Sequence, residues 1–187
     1  MSMPADLPAD LPAALPAALP VDRVWSEPDV AAFRQTLGRF PTGVCVVTCL
    51  ADGHDHAMTA NSLTSVSLEP LLVLVCVETE TRFHEAVLSA GEWAVSVLTA
   101  AARPAAAWLA TRGRPLAGQL DPVAHHRGRH TGAALLDDAL AWLEVRTVAV
   151  HPAGDHSIVV GEVLGLGMSD GSDSALTFFR GRYGRLD

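Results

Sequence analysis

The chain has 187 residues, 49% of them apolar, and a net charge of −8. That length and apolar share suit one domain with a real core and exclude a disordered chain. With 13 Lys and Arg and no basic stripe, a nucleic-acid surface is excluded, and apolar runs such as Leu71 to Val77 are far too short to span a membrane.

Residues 1–25 are dominated by a Pro-Ala-Leu repeat, PADLPADLPAALPAALP over residues 4–20. Proline every few residues removes helix hydrogen bonds and favours extended backbone. The segment reads as a flexible tail or as an arm that docks along a partner subunit. It lacks the basic start and continuous apolar stretch of a signal peptide.

The domain is expected over residues 26–187. Ser26 can cap a first helix with Pro28 in its first turn, and Phe33, Leu37 and Phe40 fall on one helical face. Pro41-Thr42-Gly43 ends it and leads into an apolar, β-branched strand from Val44 to Leu50. Asp52-Gly53 is a strong turn signal and predicts a hairpin with a second strand from about His56 to Asn61. Ser62 to Glu69 is rich in small hydroxyl residues. A third strand follows over Leu71–Val77, then a short helix over Thr81–Ala90 and an alternating strand over Trp93–Leu98. Pro104–Thr111 reads as helical.

Residues 112–133 are rich in Gly, Arg and His and read as a long loop. Ala141–Val150 and Ser157–Leu166 read as long strands joined through Pro152-Ala153-Gly154-Asp155, and Ala175–Phe179 as a last strand. Many strands, few short helices and hairpin connections predict a mainly β domain, a closed antiparallel barrel with Greek-key-like connections. No strand runs into a G-x-G-x-x-G loop and helix, so a Rossmann domain is not indicated.

Cys45 and Cys49 share a face of their strand but lie about 13 Å apart, too far to bond. With Cys76 they form an odd, apolar-flanked set, read as reduced core thiols of a cytoplasmic protein. His54-x-His56 and the His125, His126 and His130 group invite a metal, but no converging carboxylate or thiolate set accompanies them, so none is assigned. Trp93, Trp108 and Trp142 read as core or dimer-interface residues. No G-x-S-x-G elbow is present.

The polar run Met58 to Ser67 has five Ser or Thr among ten residues, together with Asn61. Short side chains let a ligand approach the backbone, and amide and hydroxyl groups can bond a planar polar ring or a phosphate. The same composition also fits a serine-rich turn that satisfies its own backbone. His156, after Gly154-Asp155, fits either a turn residue or a site residue. Arg180-Gly181-Arg182-Tyr183 fits a dinucleotide contact or a solvated basic end.

Four segments, in order, resemble the short-chain flavin reductases. They are Phe33 to Val44 with Val46-Val47-Thr48; Met58 to Pro70; Gly154-Asp155-His156 with Val160 to Val163; and Phe179 to Tyr183. The resemblance implies a split β-barrel, a homodimer, oxidation of NADH or NADPH, and reduction of FMN or FAD that is passed to a separate flavin-dependent monooxygenase. By resemblance, Pro41, Thr42, Met58, Thr59, Ala60, Asn61 and Ser62 lie along the flavin, and Ser65, Val66 and Ser67 near its ribityl or phosphate end. Thr81 and Arg82 meet its phosphate. Glu78 and Glu80 depart from the family pattern there and would repel a phosphate. His156, as the catalytic-site histidine, faces the nicotinamide side, with Arg180, Gly181, Arg182 and Tyr183 as further nicotinamide contacts. A non-catalytic flavin carrier or sensor on the same barrel is the alternative.

Overall fold

A computed structural model describes residues 28–171 and 174–187. The predicted tail over residues 1–25 and the Ser26 cap lie outside the described residues. The described residues begin with helix α1 (Val30–Leu37) and strands β1 (Thr42–Gly43), β2 (Cys45–Ala51), β3 (His54–Ala60), β4 (Thr64–Leu68) and β5 (Leu71–Glu78). Helix α2 (Arg82–Ala90), strand β6 (Glu92–Leu98) and helix α3 (Arg103–Ala110) follow. The rest is strand: β7 (His125–Arg127), β8 (Ala134–Leu136), β9 (Ala139–Ala153), β10 (His156–Met168), β11 (Ala175–Phe179) and β12 (Arg182–Leu186).

The helix ends follow local chemistry. Asp29 caps α1 by accepting from the Ala32 N–H at 2.8 Å, so the described cap lies three residues beyond the expected Ser26. Thr81 caps α2, and Gly91 ends it with φ 66°, a left-handed conformation suited to glycine. The apolar stripe of α1 is not packed inside the domain: Phe33 is 64% exposed and Phe40 68%.

Seven strands form one antiparallel sheet in the order β3-β2-β6-β9-β10-β5-β4. A three-stranded sheet, β1-β11-β12, adjoins it, and β7 pairs with β8. Three hairpins turn where the sequence supplies positive φ: Asp52-Gly53, Gly154-Asp155 and Arg180-Gly181. The strand at Thr64–Leu68 forms in the hydroxyl-rich segment, and β12 forms in what read as a basic end. Strands β7 and β8 bracket the end of the expected loop, where Ala134, Leu135 and Leu136 are buried.

The closed barrel expected from the sequence is not formed. Among the described residues, β3 and β4 are both edges, and no ladder joins them. Only Asn61, Ser62 and Leu63 separate the two strands, which holds their adjoining ends within about 14 Å and makes the sheet curl. The reason it stays open is on β3 itself. The Asp55 carbonyl accepts from Gln119 Nε2 at 2.5 Å, and the Ala57 carbonyl accepts from Arg114 Nη2. The Thr59 hydroxyl donates to the Ala106 carbonyl of α3 at 2.7 Å. Side chains after α3 thus cover an edge that another strand would otherwise occupy.

The curled sheet encloses a core of Val47, Val75, Val77, Val95, Val145 and Val159 around Trp93, with Phe83 and Val87 of α2 closing one end. Trp93 fits because Gly161 lacks a Cβ. An added one would meet Val145 Cγ1 at 2.2 Å and the indole at 2.9 Å. A second cluster packs Leu109 of α3 against Val44, Val46, Leu98, Leu136 and Leu176.

Glu144 on β9 is buried, yet its carboxylate accepts from the backbone N–H groups of Arg129, His130 and Thr131 and from the Thr131 hydroxyl, at 2.8–3.0 Å. Burial alone would push its pKa up. The Thr131, His130 and Arg129 donors outweigh that and hold it below the usual carboxylate range. A depressed folded pKa gives stability that is present above the unfolded value and lost as pH falls through the folded one. The native chain should therefore lose its advantage over Glu144→Gln on going from pH 7 to below about pH 4. Urea unfolding of both proteins at the two pH values measures this; an advantage that stays constant would refute it.

Candidate functional site

A cavity of about 530 Å³ lies between β3, the end of β5, the start of α2 and the segment after α3. That volume is within the range of small-molecule and cofactor sites. One wall is the end of β3 and its exit, from His56 to Ser62. Facing it are Cys76, Glu78 and Glu80 with Thr81, Arg82 and Phe83, and the cover is Leu109 to Arg114 with Leu116 and Gln119. His156 stands at the rim.

The strand ladders place these groups. His156 is the register partner of Glu78 across β10 and β5. Its turn is fixed from the β5 side, where the Thr79 N–H and hydroxyl donate to the Asp155 carbonyl at 2.9 and 3.1 Å. Asp155 Oδ1 lies 2.8 Å from His156 Nδ1. Hydrogen bonding and the charge of His156 hold the Asp155 carboxyl below its ordinary range. An ionised Asp155 accepts from Nδ1–H, which leaves Nε2 as the ring nitrogen available to a ligand.

Several hydroxyls of the wall are already committed. Thr59 donates to Ala106, Ser62 accepts from the Cys76 N–H at 3.0 Å, and Thr81 donates to the Glu78 carbonyl at 2.8 Å. These contacts hold the wall in shape. Among the described residues the Asn61 amide makes a single long contact, donating to Thr42 Oγ1 at 3.3 Å. His56 is held below the usual imidazole range, first by burial and then by the charges of Arg82 and His54.

Three arginines gather here on a chain of net charge −8. Arg114 is a staple: its guanidinium donates to the Thr111 carbonyl at 2.9 Å, to Gln119 Oε1 at 3.2 Å and to the Ala57 carbonyl. Arg82 donates to the Arg114 carbonyl at 2.7 Å. Arg112 Nη2 donates to both oxygens of the Glu78 carboxylate, at 2.8 and 2.7 Å. Glu78, which sequence alone made an obstacle to a phosphate, is thereby neutralised.

A model of the flavin reductase like domain matches residues 37–187. An NADH-dependent FAD reductase of Streptomyces globisporus is 42% identical over 137 residues, 73% of this chain and 75% of that protein. The NADH-dependent FMN reductase AsuE2 of Streptomyces nodosus subsp. asukaensis is 37% identical over 161 residues, 86% of this chain and 87% of that one. The crystal structure of BorF, the flavin reductase component of a bacterial two-component tryptophan halogenase, superposes with a TM-score of 0.80 at 43% identity, covering 84% of this chain and 98% of BorF. This chain belongs to the flavin reductase like family.

Within that family framework, the structure brings Met58, Thr59, Ala60, Asn61, Ser62, Thr81, Arg82 and His156 to one cavity. Thr42 touches its edge through Asn61. Pro41 does not line it. Ser65, Val66 and Ser67 sit on the edge strand β4, outside the cavity, where the Ser67 hydroxyl accepts from the Glu69 N–H and a register shift interrupts the ladder. Arg180, Gly181, Arg182 and Tyr183 form the β11–β12 hairpin and do not reach the cavity within one chain. The Arg180 N–H donates to the Gly38 carbonyl, and Tyr183 packs on Phe178.

Sequence reading missed His56, Arg112, Arg114 and Gln119. Arg112-Gly113-Arg114 directly after a helix was a usable signal, but it lay in a stretch taken for an excursion. Among the described residues no three His, Cys, Asp or Glu side chains gather as a metal ligand set. Burial pushes the Cys45 thiol up to about 12, and burial with Asp55 does the same for Cys49, so neither offers a thiolate.

Replacing Arg114 with Ala leaves the Ala57 carbonyl without its donor and frees the cover. Arg114→Ala should destabilise the protein by about 1–3 kcal/mol and speed proteolysis within residues 111–119 first. Limited digestion followed by mass spectrometry tests it; an unchanged cleavage pattern would show that the staple does not hold the cover.

Proposed function

We propose that this cavity binds the isoalloxazine of FMN or FAD, and that the chain is an NAD(P)H-dependent flavin reductase. The observation that carries the reading is the convergence of Met58 to Ser62, Thr81, Arg82 and His156 on one cavity of suitable volume. The donor set fits a flavin: small residues and backbone along β3 for a flat ring, an amide at Asn61 for its polar edge, and guanidinium groups for a phosphate. A bound flavin accepts the hydride that NADH or NADPH releases, chemistry the two cofactors supply themselves.

The residues of the chain supply position. Asn61 and the β3 exit orient the flavin, and Thr42 steadies Asn61. His156, its tautomer set by Asp155, orients the nicotinamide through Nε2 at the open rim, with no proton required of it. Leu109 and Leu116 with the segment between them keep water from the covered side. Ser65, Val66, Ser67 and Pro41 join the flavin's surroundings only through movement or a second subunit, as do Arg180 to Tyr183 for the nicotinamide.

A homodimer is supported by the exposed apolar stripe of Val30, Phe33 and Leu37 on α1 with Phe40 beyond it. The reduced flavin is passed to a separate flavin-dependent monooxygenase. Among the described residues no helix is long and apolar enough to cross a membrane, and the three free cysteines fit the cytoplasm.

The native chain should oxidise NADH or NADPH only when FMN or FAD is added, followed by loss of the reduced nicotinamide's near-ultraviolet absorbance. Flavin binding without any oxidation would instead favour a carrier or sensor. His156→Ala should raise the nicotinamide KM about tenfold or more while leaving flavin affinity within about twofold, and Asn61→Ala should weaken flavin by about tenfold. Unchanged constants in either variant would remove that residue from its role.

A further inference from the structure

Glu78 and Glu80 line a cavity whose proposed ligand carries a phosphate, an arrangement that needs a reason. Glu78 is spent on Arg112, whose guanidinium meets both of its carboxylate oxygens. The pair joins the end of β5 to the cover segment across the cavity. The charge of Glu80 acts on Arg112 as well, in the same direction as that of Glu78. Its side chain is 80% exposed and that of Glu78 28%.

The other two arginines are less free. Arg114 spends its fork on the Thr111 and Ala57 carbonyls and on Gln119, and Arg82 holds the Arg114 carbonyl. Arg112 alone among the three has a carboxylate as its partner. Arg112 meets the carboxylate through Nη2, a guanidinium suits a phosphate as well as a carboxylate, and an ion pair whose arginine is exposed costs little to break. A phosphate monoester carries close to two charges against one on Glu78, so it attracts the same guanidinium more strongly.

We infer that Glu78 and Arg112 form an exchangeable pair in which Arg112 leaves Glu78 for the phosphate of the incoming flavin, so that Arg112 selects phosphorylated flavins over riboflavin and Glu78 tempers their affinity. This rests on the flavin reading proposed above. When the phosphate departs, Glu78 recaptures Arg112, which keeps the guanidinium near the cavity and favours release of the flavin over tight retention. The two residues therefore have opposite effects on one affinity, which a merely structural clasp would not show.

The test is equilibrium binding of FMN and of riboflavin to the full chain, followed by flavin fluorescence without any nicotinamide. Arg112→Ala should weaken FMN about tenfold and leave riboflavin within about twofold. Glu78→Gln should tighten FMN by about threefold or more, again sparing riboflavin. Rising salt should reduce FMN affinity in the native chain more than in Arg112→Ala. Equal losses of FMN and riboflavin, or weakening by both substitutions, would show a structural clasp and overturn the exchange. Unchanged affinity of Arg112→Ala for both flavins would remove the arginine from the phosphate and likewise overturn it. Binding of neither flavin by the native chain would defeat the flavin reading itself, and this inference with it.

Discussion

The free edge of β3 is the constraint on which the rest of the molecule depends. A strand edge exposes unpaired carbonyl and N–H groups, and leaving them buried without partners is unfavourable. Here Gln119 takes the Asp55 carbonyl, Arg114 takes that of Ala57, and α3 receives the Thr59 hydroxyl. The sheet consequently stays open between β3 and β4. The same side chains that cover the edge hold the segment after α3 over the space beside it. A strand in their place would complete the ladder and leave no cavity of this kind. The cavity is thus a by-product of how the edge is satisfied, and its outer wall is as stable as those few hydrogen bonds.

Much of the sheet was legible because its strands carry strong local signals. Val44 to Leu50, Leu71 to Val77 and Trp93 to Leu98 are β-branched or alternating, and Asp52-Gly53 and Gly154-Asp155 announce their turns. The weaker strands were not legible. Thr64 to Leu68 is an exposed edge with little apolar content, and Arg182 to Leu186 has its basic residues turned to water. Closure of the barrel was over-read, since strand count and alternation say nothing of whether an edge meets a strand or a side chain.

The candidate site was legible in half. Motif order brought forward the β3 exit and His156, which lie far apart in sequence and meet because β10 pairs with β5. Glu78 read as an objection to a phosphate because its counter-charge, Arg112, lies 34 residues away on a segment without periodicity. Ser65, Val66 and Ser67 were placed by resemblance, and in one chain the edge strand carries them away from the cavity. Pairing across a loop of that length is a tertiary fact, and neither pattern nor composition encodes it.

The hydroxyls invite one further step. A run of Ser and Thr beside a cavity is naturally read as a row of ligand donors. Thr59, Ser62 and Thr81 are instead each bonded to backbone within the protein. A hydroxyl that caps α2 or ties the β3 exit to β5 cannot also meet a ligand at full strength. Their value to the site is size and fixity: they keep the wall narrow, polar and in one shape, which suits the flat ring of the proposed ligand. In the proposed reading, discrimination falls to the Asn61 amide, the His156 Nε2 and the Arg112 guanidinium. On that reading ring, nicotinamide and phosphate are met by three different side chains, none of which is among the hydroxyls that fix the wall.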